Sequence, residues 1–149
     1  MSFDLLPLLR MAHVVSFAAW FGTVLASLFL LKTLEPKLTG EDGEGAAREA
    51  ALLLRRYIGL ETKVADGALL GLVASGIAMA FLHHGWTGWV WAKVVLLILQ
   101  AALTMGWIIR FIQPITYPCT PRQFAGWYRL FALSLSMFAL VLSVVFLLH

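Results

Sequence analysis

Cysteine and charge are both scarce in this chain. Its 149 residues include a single cysteine, Cys119, so an intramolecular disulfide and a cysteine-rich metal site are both excluded. Only 13% of the residues are charged, whereas 61% are hydrophobic and the mean hydropathy is +0.88. This balance is typical of an integral membrane protein and leaves no room for a separate soluble domain.

Four long apolar runs account for most of the chain. They cover about residues 11–31, 64–82, 90–111 and 124–148, and each is close to the ~20 residues that a helix needs to cross ~30 Å of hydrocarbon. The first run lacks a typical cleavage site after a short apolar core, so we interpret it as a retained span. The sequence therefore predicts one transmembrane domain, residues 1–149, that folds as an all-α, up-down bundle of four helices.

Basic residues are divided unevenly between the two ends of this predicted bundle. Arg10 and Lys93 lie at the end that carries both termini. The other nine lie in or beside the first and third connections, and they are Lys32, Lys37, Arg48, Arg55, Arg56, Lys63, Arg110, Arg122 and Arg129. The positive-inside bias then places both termini on the outer, periplasmic side of the inner (plasma) membrane. The net charge of +3 follows from this topology and gives no indication of nucleic-acid binding.

The first connection also carries a helical signal. Strong helix formers with leucine and arginine fill residues 46–62, after an acidic, glycine-rich turn at 40–45. We expect span two to continue into the cytoplasm as an amphipathic helix whose arginines meet lipid headgroups.

Small and polar residues predict which faces of the spans point inward. On span two, Gly67, Gly71 and Ser75 recur every four residues, which is the pattern that lets helix backbones approach closely. Polar residues also share one face of span three and one face of span four, and we expect these faces to line the interior. They are Lys93, Gln100, Thr104 and Trp107 on span three, and Arg129, Ser136 and Ser143 on span four.

All four histidines fall at predicted span ends on the outer side, and they are His13, His83, His84 and His149. His13 shares a face of span one with Ser16, Phe17 and Trp20, about one turn inside the outer boundary. An imidazole at that depth is costly unless it has a partner. For His13, a ligand role and a hydrogen bond to a backbone carbonyl or to headgroups are equally favoured, whereas for His149 the carbonyl or headgroup contact is favoured over a ligand role.

The second connection, His83 to Lys93, adds aromatic and basic residues at the same level. Its three tryptophans, Trp86, Trp89 and Trp91, are explained by an interfacial aromatic belt. Lys93 lies on the inward, polar face of span three, which favours a contact with an anionic group of a cofactor or substrate. A lysine that snorkels to the headgroups is the alternative.

Together these residues resemble a known superfamily. The pattern consists of His13 followed by Trp20-Phe21-Gly22, an arginine-rich entry to span two, Ala74-Ser75-Gly76-Ile77, and Gly88-Trp89 with Lys93 four residues later. It is similar to the HemJ-type protoporphyrinogen oxidases and the CopD-like copper-resistance membrane proteins. The resemblance covers spans one to three and fades in span four. It implies a four-helix membrane oxidoreductase of porphyrin biosynthesis that binds haem b and oxidises protoporphyrinogen IX.

The resemblance also implies site residues. In the HemJ branch the span-one histidine and the span-three lysine are functional hallmarks, and they correspond to His13 and Lys93. The inferred site comprises His13 with His84 or His83 as axial ligands, Arg10 and Lys93 near the propionates, Trp89 beside the cofactor, and Trp20 with Lys93 as catalytic candidates. We expect Phe17, Trp20, Trp89 and Trp107 to line a porphyrin or quinone slot. The expected partners are the bilayer, a porphyrin substrate and a quinone, and a homo-oligomer is left open.

Other functions stay open because parts of the HemJ pattern are missing. The chain has neither a Pro-Arg stretch at the end of span one nor a histidine near Thr104 late in span three. One alternative is a haem protein that only passes electrons to quinone. Another is a CopD-like protein, since His13, His83, His84 and Met79 offer donors for Cu(I), although no closely spaced His-x-His or Met-x-x-Met run is present. A membrane assembly factor without a cofactor is the third.

Overall fold

The computed structural model describes residues 4–40, 43–107, 110 and 119–147, apart from the side chains of residues 84, 121 and 147. The end of predicted span three and His149 lie outside the described residues. The four helices are α1 Leu6–Leu38, α2 Glu44–Met79, α3 Gly88–Trp107 and α4 Pro121–Leu147, and a π-helical turn, Ala80–His84, extends α2. Each of the four is long and apolar enough to cross a membrane. The prediction of an all-α chain with four helices of this kind is therefore confirmed.

Helices α1 and α2 exceed the length that a bilayer requires. They contain 33 and 36 residues, whereas α3 has 20, and 20 residues already rise ~30 Å. Helix α2 runs without a break from Glu44, so residues 46–62 are helical and continuous with span two.

Helices α1 and α2 form a closely packed antiparallel pair. His13 lies opposite Ser75, and Ser27 lies opposite Tyr57, so one axial register holds along the pair. A Cβ atom added to Gly71 would lie 2.5 Å from Oγ and 3.4 Å from Cβ of Ser16, so the two helices approach closely here and Ser16 would have to rotate for a larger residue. Gly71 and Ser75 of the predicted small-residue stripe on α2 therefore do pack against a neighbouring helix. At Gly67, the other member of the stripe, an added Cβ would meet no atom within 4 Å.

Helix α4 joins this pair to α3. It packs against α1 and against α3, and the indole of Trp107 on α3 donates a 3.0 Å hydrogen bond to the carbonyl of Gly126. Helices α2 and α3 make almost no contact, although only the π-helical turn and residues 85–87 separate them in the chain. Of the helices that follow one another in the chain, α2 and α3 are therefore the least closely packed pair.

The main hydrophobic core lies at one end of the bundle, which we call the packed end. The last turns of α1 meet the first turns of α2 and α4 there, and the backbone N–H of Cys119 donates to the carbonyl of Leu38 at 2.9 Å. The buried residues of this core are Leu31, Leu34, Leu38, Ala50, Leu54, Cys119, Phe124 and Trp127. We call the opposite end, which contains His13 and His83, the histidine end.

The inward face was predicted correctly for α3 but wrongly for α4. On α3, Gln100 is buried, and Lys93, Thr104 and Trp107 are half-buried. On α4, the predicted polar face of Arg129, Ser136 and Ser143 is exposed. Large aromatic side chains bury more apolar surface than serines, so the face with Phe124, Trp127, Ser134 and Phe138 turns inward instead.

Candidate functional site

His13 is held at the interface between α1 and α2. Its half-buried imidazole places Nδ1 3.0 Å from Oγ of Ser75. The ring also lies directly against the α2 backbone, because a Cβ added to Gly76 would be 3.2 Å from Cε1 of His13. Ser75 and Gly76 thus fix the position of the imidazole.

The hydrogen bonds of Ser75 decide which nitrogen of His13 carries the proton. Oγ of Ser75 lies 2.6 Å from the carbonyl oxygen of Gly71, and a carbonyl can only accept. The single hydroxyl proton is therefore donated to Gly71, so Oγ accepts from Nδ1–H of His13. Nε2 then carries a lone pair, as in metal-binding histidines whose other ring nitrogen donates to a nearby acceptor.

Lys93 is brought near His13 from a third helix. It is half-buried on α3, and its ammonium is close enough for its charge to act on the imidazole. Gln100 lies two turns along the same face and is 2% exposed. His13 and Lys93, which the resemblance singled out on spans one and three, are thus within the range of an electrostatic interaction.

His83, one of the other predicted ligands, lies away from His13. His83 is exposed and lies eight residues beyond Ser75, which corresponds to about 12 Å along a helix. The expectation that His13 and His83 share one depth is therefore wrong, because the register of α1 against α2 sets His13 two turns deeper. Arg10 is exposed on α1, and the side chain of His84 lies outside the described residues. Within the described part of the chain, no three or more His, Cys, Asp or Glu residues are grouped so that they could hold a metal ion.

The aromatic residues expected to line one slot are dispersed. Phe138 of α4 is 1% exposed, and its ring lies 4.8 Å from that of Trp20 and 5.5 Å from that of Phe17. These rings fill the space between α1 and α4. Trp89 is exposed near the start of α3, and Trp107 packs at the other end of the same helix. The four aromatics therefore do not surround a common slot.

A second polar cluster, at the packed end, was not predicted from the sequence. The hydroxyl of Tyr128 donates to the carboxylate of Glu35 at 2.5 Å, and the ammonium of Lys32 lies 5.5 Å from the centre of the tyrosine ring. This cluster joins α1 to α4. The i, i+3 spacing of Lys32 and Glu35 was a signal for a shared polar face, but their tyrosine partner is 93 residues away from Glu35 in sequence.

Cys119 is a buried, structural residue. Its side chain is 5% exposed, and burial raises the pKa of its thiol. Because the thiolate is the reactive form, a raised pKa lowers the reactivity of the thiol at neutral pH. Cys119 is therefore a poor candidate for a catalytic or metal-binding group.

The site thus consists of His13 fixed by Ser75, with Lys93 nearby and His83 apart. Of the residues that carry the HemJ-like resemblance, His13 contacts Ser75 and Gly76 here, and Lys93 is within electrostatic range of His13. The resemblance itself is a hypothesis carried by residues of α1 to α3. Comparison of the whole chain with protein-family models, curated proteins and solved structures gives no match.

Proposed function

We propose that this chain is a multi-pass membrane protein that binds haem b through His13 and serves redox chemistry, either oxidation of a porphyrin or transfer of electrons to quinone. The observation that supports the proposal is the His13–Ser75 pair, with Nδ1 engaged at 3.0 Å. An imidazole oriented in this way offers Nε2 as a ligand to iron.

The residues present fit a haem with one histidine ligand better than a haem with two. His13 supplies the ligand, and Lys93 supplies a cation for a propionate or another anionic group. His83 is exposed and about 12 Å further along the bundle than His13, so the structure favours it less as the second axial ligand than the sequence alone did. Bound haem would supply a one-electron iron centre.

The chain's own residues then have separate tasks. Ser75 holds the imidazole in the tautomer that leaves Nε2 free. Lys93 attracts and orients an anionic group near His13. The rings of Phe17, Trp20 and Phe138 exclude water between α1 and α4, so the environment of His13 is apolar on that side.

Copper is the weaker alternative. A Cu(I) site needs two or more soft or imidazole donors close together. Among the described residues, His13 lies apart from His83, and no cluster of three donors of the His, Cys, Asp and Glu types is present. Haem needs only one or two axial ligands, so the same residues suit it better.

An absorption spectrum tests the proposal directly. Protein purified in detergent should have a Soret band, with α and β bands after reduction. His13→Ala should remove these bands while the protein still inserts into membranes, and His83→Ala, which changes an exposed histidine at the same end, should keep them. A spectrum without a Soret band in the wild-type protein, grown with ample haem, would exclude haem. Equal bands in wild type and His13→Ala would exclude His13 as the ligand.

We also propose the orientation that the basic residues predict, with the packed end in the cytoplasm. Cys119 is too buried to report accessibility, so reporter cysteines should be placed in a Cys119→Ser background. Lys37→Cys is exposed at the packed end, and Thr87→Cys is exposed at the histidine end. An impermeant maleimide should label Thr87→Cys in intact cells and Lys37→Cys only after permeabilisation. The reverse labelling would invert the topology.

A further inference from the structure

The face of α2 that points away from α1 carries a compact group of cations near the packed end. Arg55, Arg56 and Lys63 are all exposed, and Gly59 lies between them with no neighbour within 4 Å of an added Cβ. The stretch from Ala50 to Leu60 contains no carboxylate. The three cations and Gly59 form a feature that we call the cationic notch.

The dimensions of the notch suit a single phosphate group. Gly59 lies three residues beyond Arg56 and four before Lys63, which corresponds to rises of about 4.5 and 6 Å on a helix. Arginine and lysine side chains are long enough to reach a phosphate that rests over Gly59 from both sides. Because glycine has no side chain, such a group can approach the helix backbone closely.

The position of the notch along α2 selects the source of the phosphate. The apolar part of α2 begins at Val64, so Gly59 lies about 7 Å beyond the hydrocarbon, at the depth of lipid headgroups. Leu70, which is 70% exposed, lies on the same face of α2 eleven residues beyond Gly59, toward the bilayer interior, where an acyl chain would lie. We propose that the cationic notch binds the headgroup of an anionic phospholipid.

A second copy of the chain fits this face less well. If two α2 helices packed symmetrically through the notch, Arg56 and Lys63 would face their own equivalents, and like charges so close repel each other. Glu61 does not offset this charge, because its half-buried carboxylate interacts with Ser27 on the α1 side. Asp66 is exposed but lies a turn beyond Lys63, away from the arginines. An anionic lipid brings the complementary charge without a symmetric partner.

Lipid binding to the purified full-length chain tests the proposal. The protein in a neutral detergent is titrated with phosphatidylglycerol, and retained lipid is measured by native mass spectrometry, with phosphatidylcholine and inorganic phosphate as separate probes. We expect phosphatidylglycerol to bind more tightly than phosphatidylcholine. Arg56→Gln/Lys63→Gln should weaken that binding about tenfold or more. The matched control, Lys37→Gln/Arg122→Gln, removes two exposed cations outside the notch and should have a much smaller effect.

A second variant separates a built site from general charge attraction. Gly59→Leu keeps every charge and meets open space, and leucine favours helix more than glycine, so the protein should remain folded. We expect it to weaken phosphatidylglycerol binding severalfold, because the side chain occupies the place of the phosphate. Unchanged binding in Gly59→Leu, or equal losses in the two double variants, would overturn the proposal. Displacement of the lipid by millimolar inorganic phosphate would also overturn it, since a free anion would then be the better ligand.

Discussion

The packed end and the histidine end of the bundle are held together by different interactions. At the packed end, apolar side chains from α1, α2 and α4 bury one another, and Leu38 and Phe124 are 0% and 3% exposed. At the histidine end, α1 and α2 meet through the His13–Ser75 hydrogen bond and the close approach at Gly71. The main apolar core is therefore at one end, and the candidate ligand His13 is at the other. We expect substitutions in the core to change mainly the free energy of unfolding, and substitutions around His13 to change ligand binding as well.

The largest effect on stability is expected from Leu38→Ala at the packed end. Removing a fully buried leucine loses its transfer free energy and leaves a cavity, which typically lowers the free energy of unfolding by about 2–5 kcal/mol. Leu53→Ala is the matched control, because Leu53 is 52% exposed on the outward face of α2. Unfolding in detergent by added SDS gives both values. Equal effects of the two variants would show that the packed end is not a core.

A smaller loss is expected from Gly71→Val, where α1 and α2 come closest. A Cβ there would lie 2.5 Å from Oγ and 3.4 Å from Cβ of Ser16, so Ser16 must rotate and the helices must separate. Overpacking of this kind costs about 1–3 kcal/mol. Gly67→Val, one turn away, meets no atom within 4 Å and should change the free energy of unfolding far less. A loss in Gly67→Val that matched the loss in Gly71→Val would contradict the antiparallel register.

Ser75→Ala tests whether Ser75 positions the imidazole of His13 for a ligand or only stabilises the packing of α1 against α2. Loss of the Ser75 hydroxyl removes one hydrogen bond of the half-buried imidazole, whereas its hydrogen bond to the backbone of Leu72 remains, so the cost should be about 1 kcal/mol. If His13 binds haem, the less constrained imidazole should also lower haem affinity by about 10–100-fold, which spectral titration with haem measures. Ser75→Thr keeps the hydroxyl and should restore much of the affinity. Failure of Ser75→Thr to restore it would indicate that Ser75 acts only through helix packing.

The sequence was sufficient to predict properties that belong to a single helix, such as its existence and the face that it turns inward. The apolar runs indicated all four helices, the spacing of Gly71 and Ser75 indicated the face that meets α1, and polar spacing indicated the inward face of α3. It was wrong for α4, because serines and an arginine at regular spacing were weighed above the aromatic residues on the other face. The burial of those rings outweighs the polar spacing.

The relative depth of residues on different helices could not be predicted. His13 and His83 both stand at the ends of apolar runs in the sequence, but depth depends on how far one helix is shifted along another. That shift is set by contacts such as Ser16 against Gly71, which join distant parts of the chain. For the same reason the Glu35–Tyr128 hydrogen bond, between residues 93 positions apart, was missed.

The smallest effect is expected at the start of α4, where Thr120 and Gln123 form a reciprocal cap at the packed end. The N–H of Thr120 donates to Oε1 of Gln123 at 2.9 Å, and the N–H of Gln123 donates to Oγ1 of Thr120 at 3.3 Å. Thr120→Ala removes the second of these bonds, together with the 3.3 Å bond from the Thr120 hydroxyl to Oε1 of Gln123, and should lower the free energy of unfolding by about 1 kcal/mol.

The control for this cap is Thr33→Ala, because Thr33 is an exposed threonine within α1 whose hydroxyl only donates to the Phe29 carbonyl, at 2.8 Å. Its effect should stay within about 0.5 kcal/mol, as for most surface substitutions. Both values come from the same SDS titration as that of Leu38→Ala. If the packed end is stabilised mainly by apolar burial, Thr120→Ala must cost less than Leu38→Ala. A larger loss of the free energy of unfolding in Thr120→Ala than in Leu38→Ala would mean that the hydrogen bonds at the start of α4, and not the apolar core, provide most of the stability of the packed end.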